Sequence, residues 1–168
     1  MFWSKKIIKP RLGVLNLMKY DNLVRQDLKV LSDCFSSVEE SNSEFPLCDV
    51  LMIYGQINQG GQMEGFPYSF FDPVKSTGAR IVIIATGHLV DQYVMLTKNQ
   101  KISVNLVMTL DRKEGAFAEF LKNLFELMLK GMTMPNAWNQ LAPQIPNLEM
   151  KNMPDTLFVC GAGQVSFR

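Results

Sequence analysis

A chain of 168 residues, 47% hydrophobic and 20% charged, has the size and composition of one globular domain able to bury a sizeable core. Seventeen Lys and Arg against sixteen Asp and Glu leave a formal charge of +1, which gives no field to attract nucleic acid or an acidic membrane. The three cysteines, Cys34, Cys48 and Cys160, are odd in number and far apart, which argues against a disulfide framework, a zinc site or a paired redox motif.

The opening MFWSKKIIKPRLG lacks the apolar core of a secretory signal, and no apolar run reaches the ~20 residues that cross a bilayer. A cytoplasmic protein without membrane contact is expected. The first strand is predicted at residues 11–17, RLGVLNL. Leu23, Val24, Leu28, Leu31 and Phe35 then recur at helical spacing after Asp21, a residue suited to the N-cap. SSVEESNSEFPL reads as a polar surface loop with a short edge strand near Ser37 and Val38. A second strand follows at 49–55, DVLMIYG, and then GQINQGGQMEGFPYSFFDPVKSTG, whose mixed Gly, Pro and aromatic residues show no clean helical period.

The third strand, RIVIIAT at 80–86, precedes a helix carrying Leu89, Tyr93 and Leu96, and the fourth is SVNLVMTL at 103–110. Asp111 and Glu114 have the spacing of a capping box before the strongest helix, EGAFAEFLKNLFELMLKG. Its Phe117, Phe120, Leu121, Leu124, Phe125 and Met128 form one apolar stripe, and Gly131 suits the stop. A short helix from Asn136 to Leu141 lies between Pro135 and Pro143, PQIPNLEMKNMP connects onward, and TLFVCGAG at 156–163 is the last strand. Nearly continuous apolar runs are expected of strands covered on both faces. The fold class predicted is therefore a three-layer α/β sandwich, a single domain over 1–168 with helices on both faces of a mostly parallel five- to six-stranded sheet.

In such a sheet the carboxyl ends of the strands share one edge, where chemistry is usually placed. The residues assigned to that edge are Met18, Lys19, Tyr20, Gln56, Asn58, Thr86, His88, Thr109 and Cys160. Thr and Gln do not titrate near neutral pH, so His88 and Cys160 are the candidates for a base and a nucleophile. Each also has a plain reading: His88 as a helix-start residue in ordinary hydrogen bonds, Cys160 as an inert thiol within an apolar strand. GQINQGG does not lead into a clear helix and CGAG falls too close to the C-terminus to open one, so neither cradles a phosphate at a helix N-terminus. With no carboxylate pair and no His cluster, no metal or cofactor is expected.

The segment LFELMLKGMTMPNAWNQLAP resembles the end of a CHAT domain, a branch of the caspase-like cysteine peptidases. Gly131, Thr133 and Ala137 stand as in that family's Gly-x-Ser-x-x-x-Ala segment, and DTLFVCGAG resembles its final strand and glycine. VNLVMTLDRKEGAFAEF is similar to the preceding strand, acidic turn and helix, and GARIVIIATGH to the strand bearing the catalytic cysteine, so the likeness covers roughly 78–163. It implies a histidine after DVLMIYG and a cysteine after the next strand. Gln56 and Thr86 occupy those places, and an amide and an alcohol do not make an activated nucleophile. The resemblance thus implies a degenerate domain with no catalytic residue of the family's kind, acting as an interaction or regulatory module with protein partners in a complex.

A weaker likeness is to a receiver domain, with NLVRQDLKVL after the first strand and Thr86 in the place of the switch hydroxyl. Its phosphate-accepting Asp would fall near Tyr54, its acidic pair near Lys19 and Tyr20, and its Lys near Met108. Two other readings stay open: a cysteine hydrolase using Cys160 or Cys34 with His88, and a small-ligand protein with its pocket under GQINQGGQMEGFPYSFF.

Overall fold

The structure is a computed structural model that describes residues 4–98, 100–142 and 153–168. The chain runs through β1 (Lys5–Ile7), β2 (Arg11–Asn16), α1 (Asn22–Leu31), a 3-10 turn (Ser32–Cys34), β3 (Ser37–Ser41), β4 (Val50–Tyr54), α2 (Phe71–Ser76) and β5 (Ile81–Ile84). It continues through α3 (Val90–Lys98), β6 (Asn105–Asp111), α4 (Ala116–Leu129), α5 (Met134–Leu141), β7 (Asp155–Cys160) and β8 (Val165–Phe167). The main sheet has six strands in the order β3-β2-β4-β5-β6-β7, with β7 antiparallel to its neighbour and the other pairs parallel. β1 and β8 form a separate parallel pair. A mixed α/β architecture with a mostly parallel sheet is what the apolar runs predict.

Alternation along the central strands divides the interior in two. Leu12, Val14, Met52, Tyr54, Ile83 and Val107 face α1, α4, α5 and β8, while Leu51, Ile53, Val82, Ile84 and Leu106 face α3 and the loop before α2. Both faces are buried, which is why these strands read as continuous apolar runs. Phe167 of β8 packs against Phe125 of α4 with ring centroids 5.8 Å apart, tying the terminal pair to the first core.

Several local expectations are corrected. The capping box at Asp111 and Glu114 does not form: Asp111 belongs to β6, its carboxylate accepts the Lys113 N–H at 2.9 Å, and Lys113 and Glu114 take positive φ angles of 47° and 56°. That turn delays the helix to Ala116, with Gly115 at the N-cap and no side-chain cap bond. Asp21 is the N-cap of α1 by position, but its carboxylate holds Arg25 one turn on at 3.2 Å. Asp72 lies in the first turn of α2, a short helix inside the segment read as irregular, and accepts the Ser69 N–H. β1 and β8, three residues each, carry too short a pattern to stand out. The α4 terminus does follow the glycine signal: Gly131 has φ +94°, Gly131 N–H donates to Met128 O and Met132 N–H to Leu127 O, the paired bonds of a Schellman stop. Most of the connection expected over 143–154 lies outside the described residues.

Candidate functional site

The carboxyl ends of β4, β5 and β6 bring Gly55, Thr86, His88 and Thr109 together, and hydrogen bonds determine what each side chain can do. The buried Thr86 hydroxyl donates to Gly55 O at 2.5 Å and accepts the Gly55 N–H at 3.4 Å. Its single donor and one of its two lone pairs are thereby committed to backbone. His88 is also buried; its backbone N–H donates to Thr109 O at 3.0 Å. Its Nε2 accepts the Ile57 N–H at 3.0 Å, so the ring proton sits on Nδ1, which donates to Thr86 O at 2.8 Å. The Tyr93 hydroxyl donates to Thr109 O at 2.8 Å and lies 3.1 Å from Nδ1.

This imidazole is a clasp between β5 and the loop beginning at Gln56. Burial pushes its pKa below the usual 6.5, with the bond to the Thr86 carbonyl opposing that shift. Burial raises the Tyr93 phenol above its ordinary value. Gln56 is exposed and, with Asn58, Gln62, Met63, Glu64 and Gln92, lines an open groove of about 420 Å³. Below it, GQINQGG makes a tight turn, with Asn58 Oδ1 accepting the N–H groups of Gly60 and Gln62 at 2.9 Å each. Met18, Lys19 and Tyr20 are exposed at the end of β2, with the Lys19 ammonium 5.5 Å from the Tyr20 ring centroid.

Cys160 does not join this edge. β7 runs antiparallel, so Cys160 pairs with Asn105 at the amino end of β6, four residues from Thr109 and roughly 13 Å along the strand. It is also exposed, not buried in an apolar strand, with Sγ 3.7 Å from Gly163 O. Asn105 fixes the adjoining turn by donating to Gly163 O and accepting the Ala162 N–H, both at 3.0 Å. The glycine of CGAG serves packing: a Cβ on Gly161 would meet the carbonyl oxygens of Ile102 and Val104. Cys34, in the turn before β3, and Cys48, before β4, lie toward the same amino edge and are buried. Burial raises the Cys34 thiol, with Glu126 adding to the effect, and burial pushes Cys48 up to about 12, the Thr77 and Gly13 hydrogen bonds opposing. The geometry therefore separates the base candidate from every thiol of the chain.

A second polar cluster lies on the other face of the same edge. Tyr54 donates to Asp27 Oδ2 at 2.7 Å; Arg112 donates to Asp27 Oδ1 at 2.6 Å and to Ala85 O at 2.7 Å, with its guanidinium 4.1 Å from the Phe117 ring centroid. Burial raises the Tyr54 phenol, helped by the Asp27 charge. The sequence carries a trace of this cluster: Asp27 stands three residues after Val24 and four before Leu31, a carboxylate on the buried stripe of α1. Its partners arrive from elements far along the chain, so spacing alone does not reveal them. With all its groups mutually satisfied the cluster clamps α1 to β4, β5 and the start of α4, and offers no reactive atom.

Among the described residues no three His, Cys, Asp or Glu side chains converge as a metal site, and no helix is long and apolar enough to cross a membrane. No family model, no curated protein and no solved structure matches the chain.

Proposed function

We propose that the chain is a degenerate caspase-like domain of the CHAT type that acts as a protein-interaction or regulatory module in a larger assembly. One observation carries the reading: where such an enzyme would hold its nucleophile and base stand Thr86, whose hydroxyl is committed to backbone, and Gln56, an exposed amide, while the neighbouring His88 imidazole is also held by backbone hydrogen bonds. The membership of β7 in the main sheet supports the frame, since the strand DTLFVC that resembles the family's final strand is no appendage. A contact surface is available on α3 and the residue before it, where Leu89 is 74% exposed, Val90 49%, Val94 52% and Met95 42%. Other apolar stretches offer no such surface: Phe70 is buried and the apolar stripe of α4 lies in the core.

A receiver-type signalling module is the second reading. The five parallel strands, numbered from β2, run 2-1-3-4-5, the order of flavodoxin-like sheets. Against it, the place of the phosphate-accepting carboxylate is taken by Tyr54, turned inward onto Asp27. The cysteine-hydrolase reading requires a thiol beside His88, and Cys34 and Cys160 both lie toward the opposite edge.

The test joins two measurements. Proteins co-purified with the tagged chain are compared with those held by a Val90→Asp, Val94→Asp variant that retains the wild-type circular dichroism spectrum. A specific partner lost from the variant supports the module. A thiol that labels unusually fast at neutral pH, and loses that speed in His88→Ala, overturns it in favour of the hydrolase.

A further inference from the structure

The even overall charge conceals a local imbalance at the β1–β8 pair. Lys6 and Ser166 are register partners in that parallel pair, so their side chains emerge on the same face, opposite to Phe167. Together with Lys130 and Gly131 at the end of α4, and with Arg168, they line an open groove of about 380 Å³. Lys6, Lys130 and Arg168 form no ion pair with a carboxylate among the described residues; Glu126, one turn before Lys130, leaves it unpaired as well. Ser166 is only 2% exposed, yet it lines the groove and its hydroxyl has no hydrogen-bond partner among the described residues. The Arg168 backbone oxygen accepts the Lys9 N–H at 3.0 Å and so is already engaged.

Three uncompensated cations around one depression repel one another, and the Ser166 hydroxyl at the groove wall has no protein acceptor among the described residues. An oxyanion relieves both at once. It accepts from the Ser166 O–H, takes two bonds from the planar guanidinium and meets two ammonium charges. The groove is larger than a lone ion needs and falls within the ~300–1,000 Å³ of small-molecule sites. We propose that this groove binds a small molecule through a phosphoryl or diphosphoryl group, at a site distinct from the carboxyl edge and independent of the interaction reading above.

The experiment is an NMR titration of the full chain with inorganic phosphate and inorganic pyrophosphate at low ionic strength. Saturable shifts confined to the amides of β1, β8 and the α4 terminus, with pyrophosphate the tighter ligand, are expected. Ser166→Ala should weaken pyrophosphate about tenfold and Lys6→Gln with Arg168→Gln about a hundredfold, the scale of lost charge-assisted hydrogen bonds. Lys98→Gln, on α3, should leave the affinity unchanged. Unsaturable shifts spread over the surface, affinity that survives the double variant, or Ser166→Ala binding like wild type would each overturn the proposal.

Discussion

At His88, acceptance of a backbone N–H by Nε2 decides the protonation state. An imidazolium has no lone pair for Ile57, so protonation costs this bond, and burial lowers the pKa in the same direction. The unfolded chain titrates at about 6.5 and binds the proton more readily than the folded one. His88 therefore contributes stability above that value, and the contribution is lost as pH falls from about 6.5 toward the lowered folded pKa. Urea midpoints measured between pH 8 and pH 5.5 should fall with pH, and His88→Gln should flatten that slope. Asp27 is a different case. Its side chain is 3% exposed and that of Arg112 13%, so Asp27→Ala leaves a largely buried cation without its partner. A loss of about 3–5 kcal/mol is expected in urea unfolding, against about 1–2 kcal/mol for Tyr54→Phe, which removes only one hydrogen bond.

Elements are shaped by close approach as much as by propensity. Gly13 lies in β2 where a Cβ would come within 2.7 Å of Cys48 Sγ and 2.8 Å of a Pro46 ring carbon. Gly13→Ala forces the segment before β4 off the sheet, and about 1–3 kcal/mol should be lost on thermal or urea unfolding. Gly131→Ala meets open space, so its cost is the left-handed backbone alone, about 1 kcal/mol. The order of the two losses separates steric from conformational cause. Helix α1 was readable from its stripe and α4 from its stripe and its glycine. Helix α2 was not, because six residues give less than two turns of period and Pro73 sits among them.

For the molecule as a whole, the direction of one strand controls the reading of function. β7 reverses the sheet and carries Cys160 to the end opposite His88, where it stands exposed while Cys34 and Cys48 are buried. Native labelling with a thiol reagent should therefore modify Cys160 first, at a rate unchanged by His88→Ala. Cys34 and Cys48 should react only after unfolding, Cys48 being both buried and pushed up to about 12. The same scale explains the groove at β1 and β8: a formal charge of +1 is an average, and it coexists with three unpaired cations gathered by two short strands and a helix end.

The amino-acid order by itself determined the four central strands, most of the helices and the mixed α/β class. Burial on both sheet faces demands apolar runs, and helical packing demands a period, so both signals are local. It also placed Thr86 and His88 at one edge, because both fall within four residues of the end of β5. Tertiary structure alone decided that His88 holds Ile57, that Asp27 joins Tyr54 and Arg112, and that Cys160 faces away. Those relations depend on strand direction and on contacts between segments distant in the chain, which no local pattern encodes.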